Sequence, residues 1–237
     1  MITKAFLLAA GLGTRLRPLT DSIPKCLVKI YDKSLLGWWI DLMEKHGIHE
    51  VLINLHHFSE QVVAYINSYP TKIKFHFFNE EKLLGSGGTL RENKEFVRNE
   101  KSFFIFYADN LTNYNLTLFA EFHEKKGQPL SMALFRTDNP KICGIAALDE
   151  NNIIINFEEK PEFPKSDLAN AGLYIAKPDI IDLIPKFEIT DIGFHLLPQL
   201  VGKMAGWETN NYLIDIGTLD NLNKANREWP QIIEKEN

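Results

Sequence analysis

The stretch Ala5–Ile30, AFLLAAGLGTRLRPLTDSIPKCLVKI, decides how the rest of the chain is read. A short apolar run breaks into a glycine turn, and the turn leads into Thr14, Arg15 and, ten residues on, Lys25. A buried strand that opens into such a loop exposes backbone N–H groups, which attract phosphate. Gly11 and Gly13 allow the backbone to approach an anion closely. Arg15 and Lys25 carry the charge that a polyphosphate needs.

Two common phosphate motifs do not fit. No lysine stands at the spacing of a GxxxxGK[ST] loop, and the third glycine of GxGxxG is replaced by Leu16. Taken alone, the loop is equally compatible with a strand and turn carrying two solvated arginines.

Composition narrows the classes. The 237 residues are 45% hydrophobic and 24% charged, enough for one large α/β domain. A net charge of −5 argues against a broad nucleic-acid surface. Two distant cysteines, Cys26 and Cys143, suit neither a zinc site nor a disulfide framework and read as thiols of a reducing cytoplasm. The N-terminal apolar run is too short for a signal sequence. No apolar stretch approaches the ~20 residues of a membrane span. The expectation is a cytoplasmic protein without nucleic-acid or membrane partners.

Apolar runs alternate with helical patterns over the first half. Strands are expected at 5–10, 51–55, 73–78 and 102–108. Helices are expected at 35–46 with Gly47 as the stop, at 59–69 with Ser59 as the cap, and at 89–97. Such alternation predicts a doubly wound, largely parallel sheet. The second half reads as strands at 130–137, 142–148, 153–158 and 171–176. Helices follow around 178–183, 193–202 and 219–227. The fold class is therefore α/β, a Rossmann-like mixed sheet in a single domain over 1–237.

Several residues stand where chemistry is usually done. Asp109 ends the continuous apolar run Phe103–Ala108, and ligands of open α/β sheets bind outside the carboxyl ends of strands. Asp215 also ends an apolar run. Taken alone, Asp109 reads as a helix-capping or turn aspartate, and Asp215 is also readable as a strand-end cap. Gly85, Ser86, Gly87, Gly88 and Thr89 read as a glycine-rich loop whose hydroxyls and backbone could meet a base and a ribose, or as a plain surface loop before a helix. Lys160 alone reads as a solvated lysine. The dispersed histidines His46, His49, His56, His57 and His76 show no metal spacing. Trp38 and Trp39 read as core or subunit-contact aromatics.

As a whole, AAGLGTRLRPLTDSIPKCLVKI resembles the signature of the sugar-phosphate nucleotidyltransferases, roughly AGxGTRLxPLT…PKxLxxI. The resemblance extends in order through LGSGG, the strand-end Asp109, Glu159-Lys160-Pro161, Asn170-Ala171-Gly172 and Asp215-Ile216-Gly217-Thr218. It is nearest to the short guanylyltransferases of mannose and heptose 1-phosphates. It departs in having Ala108 where many members have glycine, and LGSGG where LGTAG is common. No hexapeptide β-helix of the kind many members carry after this domain is visible.

The resemblance implies that Ala10, Gly11, Gly13, Thr14, Arg15, Lys25, Gly85, Ser86, Gly87 and Gly88 meet a nucleoside triphosphate, GTP being favoured. It implies that Asp109 and Asp215 hold Mg²⁺, and that Arg15, Lys25 and Asp109 act at the reacting phosphorus. Gly144, Glu159, Lys160, Asn170 and Gly172 are implied for the sugar 1-phosphate. A monomer or homodimer is expected. Uridylyl or thymidylyl transfer, or a silent regulatory subunit that binds sugar nucleotides, are the alternatives.

Overall fold

The computed structural model describes residues 1–235. In chain order its elements are β1 (Lys4–Leu8), β2 (Lys29–Ile30), β3 (Lys33–Ser34), α1 (Leu35–Lys45), β4 (Glu50–Leu55), α2 (Ser59–Ser68), β5 (Lys74–Asn79) and α3 (Gly85–Glu92). There follow β6 (Phe103–Tyr107), β7 (Asn110–Thr112), α4 (Leu116–Lys126), β8 (Leu130–Arg136), β9 (Gly144–Leu148) and β10 (Ile154–Glu159). The last are β11 (Leu168–Ala176), β12 (Met204–Glu208), β13 (Leu213–Asp215) and α5 (Leu219–Glu234). The class is α/β with mixed strand pairing, as the sequence pattern implied.

The residues fall into two compact units. One comprises Ala5–Lys82, Tyr107–Asn115 and the stretch from Asn211 onward. Here β1, β4 and β5 are neighbours in that order, and β4 pairs with β5 in parallel, Val51 opposite Phe75 and Ile53 opposite Phe77. Val51, Leu52, Ile53, Asn54 and Leu55 of β4 are all buried, which explains a run without alternation. At the sheet's edge β5 carries Lys74 and His76, polar groups that blunt an open strand. Leu36, Trp39, Ile40 and Met43 of α1 are buried, and Trp39 donates from its indole to the Asn110 carbonyl at 2.8 Å. Gly47 ends α1 with φ 74, as its place after the periodic run predicts.

The other unit holds Met1–Lys4, Leu83–Phe106 and Leu116–Asn210. Its pairing is mainly antiparallel. β11 pairs with β6, Leu173 opposite Phe106, and with β8, Tyr174 opposite Met132. β9 and β10 form a hairpin whose turn is held by the Asp149 carboxylate, which accepts from the Asn151 and Ile153 N–H groups. β12 adds to β8 in parallel, Gly206 opposite Met132. Phe103, Phe104 and Phe106 are core residues, as expected.

Five elements differ from expectation. The helix expected at 89–97 begins at Gly85 and ends at Glu92, followed by a 3-10 turn at Lys94–Phe96. Glycine is a poor helix former, so the first turn was masked. Ser59 does not cap α2; Phe58, with φ 54, stands at that position and Ser59 is the first helical residue. The segment 178–183 is 3-10 throughout, and 193–202 is a π-helical turn at Ile192–Leu196 followed by a 3-10 turn at Leu197–Leu200. Pro198 supplies no N–H to an α-helical ladder there. Finally, α5 passes Arg227 and continues through Pro230 to Glu234.

Candidate active site

In the first unit the glycine loop leaves β1 under tight control. The Ala9 N–H donates to Asn54 Oδ1 at 2.7 Å, and Asn54 Nδ2 donates to Glu80 Oε1 at 2.8 Å. Both side chains are buried. After Ala10, itself buried, the chain turns outward at Gly11. A Cβ on Gly11 would meet no protein atom within 4 Å, so no internal contact demands glycine there. Gly13 is different. Its φ is 62, and a Cβ would lie 3.1 Å from Lys25 Cβ and from Thr20 Cγ2. The Thr20 hydroxyl donates to the Gly13 carbonyl at 2.8 Å and fixes the turn. Thr14 and Arg15 are exposed.

Lys25 lies in a 3-10 turn at Lys25–Leu27 and is buried, 9% of its side chain remaining accessible. Its ammonium donates to Asp109 Oδ2 at 2.8 Å and to Asp215 Oδ1 at 3.2 Å. The two carboxylates, 106 positions apart by residue number, are brought together by strand pairing. β13 is antiparallel to β7, with Asp215 opposite Asn110, and the Ile216 N–H donates to the Asp109 carbonyl at 3.0 Å. The Gly217 N–H donates to Asp215 Oδ1 at 2.7 Å, and Asn221 holds the Asp215 carbonyl. Arg15 reaches Asp215 Oδ2 at 3.6 Å, with both side chains largely open to solvent. A Cβ on Gly217 would fall 2.6 Å from the Arg15 guanidinium. Arg15, Lys25, Asp109 and Asp215 thus form one cluster, with the loop residues Gly11, Gly13 and Thr14 on the same unit.

This donor set fits a hard divalent cation. Asp109 and Asp215 offer carboxylate oxygens to one point, and both are partly open to solvent. Among the described residues no group of three or more His, Cys, Asp and Glu side chains is placed to hold a metal ion, so a cation here would draw further ligands from phosphate or water.

The second unit carries another cluster. The residues expected as a glycine loop are the first turn of α3, wrapped round the backbone of Thr190. The Gly87 and Gly88 N–H groups donate to the Thr190 carbonyl at 2.9 and 3.2 Å. A Cβ on Gly85, at φ 76, would lie 2.3 Å from that same oxygen. The Ser86 hydroxyl donates to Asp191 Oδ2 at 2.9 Å and accepts from the Ile192 N–H. Thr89 is fully buried, and its hydroxyl donates to the Gly85 carbonyl, so it faces inward.

Gly144 is not in a turn but opens β9, paired with Glu159 at the end of β10. The Glu159 carboxylate occupies the space left by two glycines. A Cβ on Gly144 would lie 2.5 Å from Oε2, and one on Gly193 would lie 2.6 Å from it. Burial, reinforced by the Asp191 carboxylate, raises the Glu159 pKa, with Lys160 opposing. Lys160, at φ 51, donates its N–H to the Cys143 carbonyl and holds its ammonium 5.8 Å from the Phe194 ring centre. Asn170 Nδ2 donates to the Tyr174 hydroxyl at 2.7 Å, and its Oδ1 accepts from the Gly172 N–H. Gly172, at φ 71, marks the irregularity in β11 between Asn170 and Tyr174.

Sequence reasoning passed over Asn54, Glu80, Thr190, Asp191 and Gly193. Asp191 had a legible signal. It precedes the turn at Ile192–Leu196 and its Oδ1 accepts from the Phe194 N–H, the pattern of an N-cap aspartate. Asn54 acts on a backbone group 45 positions away and Glu80 on the Asn54 side chain, partners that no local pattern announces.

Comparison with known proteins bears on these clusters. A UTP–glucose-1-phosphate uridylyltransferase of Synechocystis is 32% identical over 214 residues, covering 84% of this chain and 55% of that protein. A mannose-1-phosphate guanyltransferase of Candida albicans is 30% identical over 221 residues, covering 90% and 61% respectively. The chain therefore spans little more than half the length of the curated relatives it matches. A putative glucose-1-phosphate thymidylyltransferase of Bacillus anthracis, solved with a sucrose, superposes with a TM-score of 0.84 at 25% identity, covering 95% of this chain and 94% of that one. The nucleotidyl transferase family model matches residues 4–231, a span that contains every residue of both clusters, and the chain belongs to that family.

Proposed function

We propose that the protein transfers a nucleoside monophosphate from a nucleoside triphosphate to a sugar 1-phosphate, releasing pyrophosphate and forming a nucleoside diphosphate sugar. GTP is the proposed donor and a mannose- or heptose-type 1-phosphate the proposed acceptor. The observation that carries the reading is the Lys25 ammonium shared by Asp109 and Asp215 beside the glycine loop.

The sugar phosphate is already an anion near neutral pH, so its oxygen can attack the α-phosphorus without a strong general base. What the protein must supply is alignment and charge neutralisation. Arg15 and Lys25 balance the triphosphate and the developing pyrophosphate. Asp109 and Asp215 would hold Mg²⁺, which when bound supplies charge neutralisation to the phosphates. Lys160 steers the incoming sugar phosphate. Glu159, seated between Gly144 and Gly193, accepts from sugar hydroxyls. Gly11, open to solvent, lets the loop backbone approach the triphosphate.

Uridylyl transfer is the second reading, favoured by the uridylyltransferase relative at 32% identity. The test is a matrix of GTP, UTP, dTTP, CTP and ATP against sugar 1-phosphates, with Mg²⁺ and pyrophosphatase, read as phosphate release. GTP with mannose or heptose 1-phosphate is expected to turn over fastest. A preference for UTP would overturn the donor assignment and leave the reaction standing. No turnover with any pair would overturn the reaction.

A further inference from the structure

The ammonium of Lys25 stands where the two carboxylates converge. It is the buried member of the group, 9% accessible, whereas Asp109 and Asp215 keep 39% and 45% of their side chains open. An approaching cation therefore meets the carboxylates first and finds their shared oxygens already occupied, Asp109 Oδ2 at 2.8 Å and Asp215 Oδ1 at 3.2 Å from the same nitrogen. Arg15 adds a second positive charge at Asp215 Oδ2. A divalent ion entering this arrangement must displace the ammonium or accept its repulsion at close range, where Coulomb interactions are strong.

We propose that Lys25 is an internal counter-ion that competes with a divalent cation for Asp109 and Asp215, so that the cation binds well only when a polyphosphate draws the ammonium away. The proposal rests on the nucleotidyl transfer reading for the identity of the cation and the polyphosphate. Its physical content is separate: one lysine sets the metal affinity of the free protein. Linkage makes the effect reciprocal, since whatever removes the ammonium from the carboxylates favours the metal, and the metal favours its removal. The lysine is long and unbranched, with several rotatable bonds between its head and a backbone held by a 3-10 turn, so its head can move while the turn stays fixed.

The test is Mn²⁺ binding to the full chain without nucleotide, followed by electron paramagnetic resonance and calorimetry. Lys25→Met keeps the length of the side chain and removes the charge. It is expected to bind Mn²⁺ about tenfold or more tightly than the unaltered protein. Lys25→Arg is expected to stay as weak as the unaltered protein. Adding Asp109→Asn to Lys25→Met should abolish the gain. Equal Mn²⁺ affinity in Lys25→Met and the unaltered protein overturns the proposal, as does a gain that survives Asp109→Asn. The carboxylates are open enough to water for the variants to fold. A measurement on the unaltered protein nonetheless guards against a folding failure. The Lys25 ammonium resonance of ¹⁵N-lysine-labelled protein, assigned by its loss in Lys25→Arg, should shift as Mg²⁺ saturates. Metal binding with an unmoved resonance overturns the proposal. Should the transfer assays fail while the Mn²⁺ result holds, the functional reading falls and the counter-ion remains.

Discussion

The carboxylate of Glu159 fills the space that a side chain on Gly144 would take, with 2.5 Å between Oε2 and the place of that missing Cβ. Gly193 confines the same oxygen from another side, at 2.6 Å. Adding a methyl group at 144 must push away the carboxylate and the Phe157 ring, whose Cζ lies 2.7 Å from the same place. Gly144→Ala is expected to raise the Michaelis constant for the sugar 1-phosphate several-fold, by an order of magnitude at most, while the constant for the triphosphate holds. Steady-state kinetics with each substrate varied in turn check this, and an unchanged sugar phosphate constant would sink the assignment of Glu159.

Glu159 also makes a prediction about pH. Its pKa is raised in the folded protein by burial first and by Asp191 second. The folded state therefore binds its proton more tightly than the unfolded chain does. Whatever stability that proton confers is complete at acid pH and is lost as pH rises from the ordinary glutamate range through the raised value. Glu159→Gln should accordingly gain stability over the unaltered protein between pH 4 and pH 7. Urea unfolding at both values measures the difference; a constant difference would contradict it.

His123 gives the opposite slope. It is buried, with Nδ1 2.8 Å from the Ser131 hydroxyl and Nε2 3.0 Å from the Ser102 hydroxyl. Burial, aided by Lys177, lowers its pKa from 6.5 to about 4. The neutral ring belongs to the folded state, and the unfolded chain takes up the proton first. Stability is full above pH 6.5 and declines as pH falls toward 4, by about 2 kcal/mol between pH 7 and pH 5. His123→Gln is expected to flatten that decline in urea titrations, whatever it does to the absolute value at pH 7.

Asp109→Ala and Asp215→Ala are each expected to lower turnover on the order of 100-fold, the scale of losing a major electrostatic stabiliser. Both carboxylates are partly solvated, so the folded state should survive. EDTA should abolish turnover and Mg²⁺ restore it. Pyrophosphate release and far-ultraviolet dichroism together test this; normal turnover in Asp215→Ala would remove that residue from the chemistry.

Asn54→Ala deletes the acceptor of the Ala9 N–H and the donor to Glu80. Losing partners in a buried polar network costs roughly 1–3 kcal/mol. The loop beginning at Ala10 also loses its anchor, so the Michaelis constant for the triphosphate should rise more than that for the sugar 1-phosphate. Denaturant unfolding and paired kinetics separate the two effects. Equal changes in both constants would show that Asn54 serves the fold alone.

The parts that could be read from the sequence are those where chemistry follows local pattern. The apolar runs Ala5–Ala10 and Phe103–Ala108 announced strands, Gly47 announced a helix stop, and the alternation of elements announced the α/β class. The meeting of Asp109 with Asp215 was foreseen only through the family resemblance, because it depends on the register of β7 with β13. Ser86 misled for a physical reason. Glycines on both sides of it suggested an open loop, whereas those glycines admit the Thr190 carbonyl and let a helix begin. Gly193 and Asn54 gave no signal, since what each does is set by a side chain or backbone group far along the chain.

The grip of Thr190 on the first turn of α3 has a consequence for how such a chain can change over time. The N–H groups of Gly87 and Gly88 are spent on that carbonyl, and the hydroxyl of Ser86 on Asp191, 105 positions away. A bulkier residue at 85 is tolerable only if the backbone at 190 retreats, and a retreat at 190 strands the donors at 87 and 88. Neither stretch can drift alone. Variation at 85–88 and at 190–191 must be inherited as one block, and a library that randomises either stretch by itself samples mostly broken versions of both.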